Sequence, residues 1–399
     1  MESSSILFSG ILKFFRELDR RIKVLYTFIG IHLTHQQLTT QYNQLYATAL
    51  GASPVELGTL NSIRSVVSSM IAIPSGWMAD RYGPKRVLLL GLASIGVISA
   101  IYCLASNWWM LIPAIILYGA GQGLILPYVD MLFINIGGAE NKSTIFSISR
   151  TLWAIPRIFS PIIAAIIIAN LGGLNSGADA IRPLYSIQLA LAMLVFISVA
   201  LLVKTPQGDS VEKTVEPVKK GRGFIQDFRD LFKGERYLTR YIAMSAIRRI
   251  GMNTAMAFVP LWMVNVKGVD QYILGTMTAV GMVTAMLLQI PVGRLSDRIG
   301  RKKTYFLLRP FTFIAILLMI LAPRPEYLIL VGILGGSLSG GGEGAGIGGT
   351  SFIPSITMQW EMVPKEKRGR WHGIQGFFGI LAFPASILGG DTVATGIYG

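Results

Sequence analysis

Gly76-Trp77-Met78-Ala79-Asp80-Arg81-Tyr82-Gly83-Pro84-Lys85-Arg86 follows one long apolar run, and Gly293-Arg294-Leu295-Ser296-Asp297-Arg298-Ile299-Gly300-Arg301-Lys302-Lys303 follows another. Both read Gly-x-x-x-Asp-Arg-x-Gly with basic residues after it. One copy lies in each half of the chain, between the second and third apolar runs of that half. Two copies at matching places are what an internal structural repeat predicts. Basic anchors at two helix ends would account for the charges. They would not account for the glycines and the Asp-Arg pair twice.

The runs around these loops set the class. Apolar residues make up 52% of the 399 and charged residues 14%, well under the roughly 25% of soluble domains. Mean hydropathy is +0.54. Eleven apolar spans can be drawn, at 24–50, 55–79, 87–106, 108–136, 144–170, 183–203, 240–266, 271–293, 303–322, 327–362 and 371–390. Each is long enough to cross ~30 Å of hydrocarbon as a helix. The odd count, with residues 391–399 reading as a loop, leads us to expect a twelfth span missing at the C-terminus. Cys103 is the single cysteine, so no intrachain disulfide can form.

Charge gives an orientation. Of 36 Lys and Arg, 27 fall in the N-terminus and in alternate connections, three (Arg182, Lys267 and Arg324) in the opposite connections, and six within spans. By the positive-inside rule this places the N-terminus in the cytoplasm. The net charge of +15 is therefore a topology signal, and no basic cluster points to nucleic acid. The expected organisation is a cytoplasmic segment at 1–23, a first bundle at 24–203, a polar linker at 204–239 and a second bundle at 240–399.

The repeated loop resembles the signature loop of the major facilitator superfamily. The stretch Gly51–Ile63 and the segment Val363–Trp371 are also similar to that family. The resemblance implies an all-α membrane protein with two pseudo-symmetric six-helix bundles around a central cavity. The cavity would be lined mainly by the first helix of each three-helix repeat. Pro84 departs from the pattern, where the family carries Arg. An Asp at a membrane-facing helix end is costly unless paired. We therefore expect two gating networks. One comprises Gly76, Asp80, Arg81, Gly83 and Asp130; the other Gly293, Asp297, Arg298, Gly300, Arg301 and Glu361. The alternative is that these residues only orient loops.

Candidate binding residues come from polar groups inside spans. The first span carries His32, His35, Gln36, Thr39 and Asn43, which cannot all face lipid. They face solute, water or partner helices. Gln122, Arg157, Arg249 and Asn253 join them as expected solute-binding residues. Buried Arg without buried Lys favours an oxyanion, held by bidentate pairing. Glu343, in a glycine-rich stretch, and His32 are the expected proton-coupling groups, with His35 as a competitor.

Neither a metal-ligand cluster nor a nucleophile–base pair can be read, and no cofactor, metal or nucleic-acid partner is expected. The expectation is a non-enzymatic, monomeric permease of the cell membrane. It moves a small solute by alternating access, in symport with protons and with an anionic substrate. A multidrug or sugar exporter is the alternative of the same family. A non-transporting receptor or scaffold is the alternative of another class.

Overall fold

Local chemistry sets the start of one long helix in each half. Ser53 and Glu56 form a capping box: the Ser53 N–H donates to Glu56 Oε2 (2.7 Å), and the Glu56 N–H donates to Ser53 Oγ (3.3 Å). Pro54 follows as the first helical residue, where its missing N–H costs nothing. In the second half Asp270 takes the same position, accepting from the Ile273 N–H at 2.8 Å. Leu57-Gly58-Thr59 and Leu274-Gly275-Thr276 follow these caps, at the same offset that separates Gly76 from Gly293. The repeat therefore runs from the cap to the signature loop.

The structure is a computed structural model. It describes residues 20–82, 84–121, 142–202, 240–241, 243–244, 247, 258–335 and 345–362. The first half contains α1 (Arg20–Thr40), α2 (Asn43–Ala49), α3 (Pro54–Tyr82) and α4 (Pro84–Leu104). It continues with α5 (Trp108–Gly121), α6 (Lys142–Asn170) and α7 (Ala178–Leu202). The second half contains α8 (Val259–Lys267), α9 (Gln271–Ile299), α10 (Arg301–Leu321), α11 (Leu328–Gly335), α12 (Gly346–Gly349) and α13 (Phe352–Met362). No strand occurs among the described residues. Helices α3, α6 and α9 have 29 residues each, and α4 and α10 have 21.

Two expected spans are not continuous. The first, expected whole over 24–50, is interrupted between α1 and α2. The Tyr42 N–H reaches back only to the Thr39 carbonyl (2.9 Å), a tightened turn, before Tyr46 resumes the i−4 pattern onto Tyr42 (2.8 Å). The tenth, expected over 327–362, is divided among α11, α12 and α13. Ala345 is extended there (φ −75°, ψ 147°), and Gly346 sits at φ 70°, which glycine adopts without steric cost. The span expected at 371–390 and the linker at 204–239 lie outside the described residues.

Surfaces are arranged for lipid. Windows within α6, α7, α9 and α10 are long and apolar enough to cross a membrane. Along α10, Phe306, Phe313, Leu317 and Leu321 are exposed, whereas Thr304, Thr312 and Ala315 are buried. Large apolar side chains turned outward, with threonines and an alanine inward beside Leu308 and Met319, is the pattern of a helix solvated by hydrocarbon. The chain is an integral membrane protein.

Packing is organised around α1, α7 and α9. Helix α1 lies against α6 and α7, and α4 lies against α7. Across the halves, α9 packs along α6, and α2 touches α8. The α6–α9 crossing is close: a Cβ at Gly275 would lie 2.7 Å from the Pro161 carbonyl oxygen and 3.0 Å from Ala165 Cβ. At one end of the first half, Arg182 ties three helices. Its Nη2 donates to the Ala105 carbonyl (3.0 Å), Nε to Tyr46 Oη (3.4 Å) and Nη1 to Asp179 Oδ1 (3.0 Å). Tyr46 Oη in turn donates to the Tyr102 carbonyl (2.7 Å), and Tyr46, Tyr102 and Tyr185 pack ring to ring.

Candidate functional site

The polar stretch of α1 and α2 cannot be satisfied by its own backbone alone, and three other helices answer it. Helix α6 supplies Arg157, whose Nη2 donates to Gln37 Oε1 at 2.9 Å. It also supplies Ser160, whose hydroxyl donates to the Thr34 carbonyl at 3.0 Å. Helix α7 supplies Gln188, whose Oε1 accepts from Thr39 Oγ1 at 3.1 Å, and Tyr185, whose hydroxyl donates to Asn43 Oδ1 at 2.8 Å. Helix α9, in the other half, supplies Thr278, whose Oγ1 donates to Gln41 Oε1 at 2.6 Å. Thr39, Gln37, Gln41, Gln188 and Thr278 are all buried. The break between α1 and α2 is thus the centre of a polar node shared by both halves.

The expected residues divide into three groups. Thr39, Asn43 and Arg157 belong to the node. Gln36 is half-buried, and its carbonyl accepts from Thr40 Oγ1 at 2.7 Å. His32 and His35 are buried with their rings 5.0 Å apart, edge to face. His32 lines a small gap with Phe28, Ile29, Leu88, Leu92, Val195 and Val199, on the side of α1 facing α4 and α7. It therefore does not share the node's polar surroundings. Gln122, Arg249, Asn253 and Glu343 lie outside the described residues. Arg64, also within a span, is exposed, with its guanidinium carbon 4.7 Å from the Tyr118 ring centroid.

The signature loops are described in part. Gly76, Asp80 and Arg81 fall on α3 and Glu361 on α13, and their backbone alone is described; Gly83 and Asp130 lie outside. In the second copy, Asp297 and Arg298 are exposed in the last turn of α9, and Arg301 is half-buried in the first turn of α10. Among the described residues Asp297 makes no ion pair. Gly300 joins the two helices at φ 95°, a conformation that favours glycine.

Gln37, Gln41, Tyr185, Gln188 and Thr278 belong to the node and were not among the expected site residues. Gln37 and Gln41 stand inside the polar stretch that singled out the first span. Gln188 is an amide in an otherwise apolar run, which is a usable signal. Thr278 has none, since one threonine in an apolar helix commonly bonds its own backbone.

The family model described as Major Facilitator Superfamily matches residues 26–389. The chain belongs to the major facilitator superfamily. Among curated relatives of this facilitator chain, the Multidrug resistance protein MdtG of Escherichia fergusonii is 24% identical over 312 residues. That match covers 76% of this chain and 72% of MdtG. The protein ZINC INDUCED FACILITATOR 1 of Arabidopsis thaliana is 36% identical over 89 residues, covering 22% of this chain and 18% of that protein. Among solved structures, the nucleoside transporter NupG superposes with a TM-score of 0.68 at 13% identity. That superposition covers 94% of this chain and 92% of that one. At that identity the likeness shows the fold: an all-helical major facilitator transporter fold.

Proposed function

We propose that this facilitator chain is a secondary transporter that moves a small anionic solute by alternating access, in symport with protons. The observation that carries the reading is the node at the α1–α2 break. Buried polar groups from α1, α6, α7 and α9 converge there, in a membrane protein whose family carries small solutes. Discontinuous helices at the junction of two repeats are where such carriers hold their solutes. Arg157 supplies the anionic preference. Its guanidinium reaches the polar face of α1 from α6, and a planar fork of N–H donors matches a carboxylate or phosphate. Glu343, with His32 and His35 as alternatives, is proposed to carry the proton. Arg249, Gln122 and Asn253 are proposed to complete the solute site.

The signature loops are proposed to gate the face on which they lie, with that face and the N-terminus in the cytoplasm. Multidrug export is the second reading. The likeness to MdtG over 76% of the chain favours it.

Proteoliposomes loaded with a pH dye decide between the two. Carboxylates and phosphate esters are expected to acidify the lumen, and Arg157→Ala is expected to abolish the signal while assembled protein is unchanged. Responses to cationic drugs alone, surviving Arg157→Ala, would replace symport of anions with the multidrug reading.

A further inference from the structure

The hydrogen bond between Gln41 and Thr278 joins the two halves through side chains that are both buried. The two residues lie 237 positions apart, and their polar atoms approach to 2.6 Å. Gln41 is 1% exposed and Thr278 is fully buried. Each sits at a special point of its own element. Gln41 occupies the break between α1 and α2, where the backbone already departs from helical bonding. Thr278 lies on α9 one turn beyond Gly275, where α9 and α6 touch almost backbone to backbone.

Other contacts between the halves lie at this end too, while α6 and α9 go on touching farther along, at Ile158, Ala279 and Met282. Helix α2 meets α8, and a Cβ at Gly173 would lie 3.4 Å from Gln271 Nε2. The signature loop of the second half lies at the opposite end of α9. Asp297 is 19 residues beyond Thr278, which at about 1.5 Å per residue is about 28 Å away.

The Thr278 hydroxyl also has a second acceptor. Its Oγ1 lies 3.0 Å from the Leu274 carbonyl of its own helix. A hydroxyl has one proton to give. When the halves are together the proton goes to Gln41 at the shorter distance. When they part it turns to Leu274, so separation does not leave a buried donor without a partner. This lowers the cost of breaking the contact.

We propose that Gln41 and Thr278 form a latch that closes the end of the carrier opposite the signature loops. The α1–α2 break lets α2 move with it. The latch is then the counterpart, on the other face, of the gates proposed at the signature loops. It rests on the alternating-access reading for its purpose, but its test needs no solute, so the two can fail separately.

The test is a distance. In a Cys103→Ser background, Asn107→Cys and Glu326→Cys place nitroxide labels on exposed connections of the two halves, both at the latch end. Pulsed electron–electron resonance in nanodiscs then reads the spread of that end. The parent is expected to be mainly short. Thr278→Val, nearly isosteric without the hydroxyl, and Gln41→Leu are each expected to shift the closed-to-open ratio by about three- to tenfold, the scale of one net hydrogen bond. The double variant is expected to open no further than either single, and Thr278→Ser to return the parent distribution. A Thr278→Val distribution equal to the parent's, or a double variant that adds two full effects, would overturn the latch. Should Gln41→Leu fail to assemble, the Thr278 pair of variants decides alone.

Discussion

Gly275 shows how one missing side chain sets a crossing between two halves. Its backbone lies against the Pro161 carbonyl and Ala165, closer than any Cβ would permit. Gly275→Ala must therefore separate α6 from α9, an overpacking cost of about 1–3 kcal/mol. We expect a lower melting temperature in detergent and a loss of transport. Gly293→Ala is the control: among the described residues nothing lies within 4 Å of a Cβ there, so thermal stability is expected to hold. Equal melting temperatures for the two variants would remove the close crossing as a source of stability. Gly293 was legible as part of a repeated motif, while Gly275 was not. A glycine in an apolar run announces close approach, but not to what. The same holds for Thr278, whose partner lies 237 residues away. Hydropathy and spacing are local quantities, and these contacts are not.

At the scale of elements, most helix positions could be read because lipid demands long apolar helices with internal backbone bonds. The α1–α2 break could not. Neither proline nor glycine marks residues 40–43, and the interruption follows from tertiary bonds made by Thr39, Gln41 and Asn43. In the tenth span the glycine-rich stretch is compatible with a close helix contact or a break, and Ala345 and Gly346 interrupt the helix. One of the ties that hold α2 after the break is Arg182, which joins Tyr46 to the Ala105 carbonyl. Arg182→Ala removes the donors to a buried corner. We expect a loss of about 1–3 kcal/mol, seen as a lower melting temperature, with Arg182→Lys recovering only part because it lacks the fork. A full recovery by lysine would show that charge alone, and not geometry, matters there.

For the whole molecule, the motif that revealed the repeat also makes a kinetic prediction. Asp297 is exposed at a helix end and makes no ion pair among the described residues, so its removal should not unfold the protein. Asp297→Asn is expected to slow turnover several-fold in proteoliposomes while the yield of assembled protein is unchanged. Loss of assembly instead would make the loop a folding element. The family and the all-helical fold were legible from that motif and from composition. The polar node was legible only where polarity is unusual inside lipid, as at Thr39, Asn43 and Arg157.

The unequal helix lengths have a consequence for the host bilayer. Helices of 21 residues are about 31 Å long and match ~30 Å of hydrocarbon directly, while those of 29 residues, about 43 Å, fit by tilting or by projecting beyond it. A thicker bilayer would leave the short helices undersized and let the long ones stand more upright. Acyl-chain length would then act as a mechanical input, shifting the balance between the transporter's end states without touching its solute.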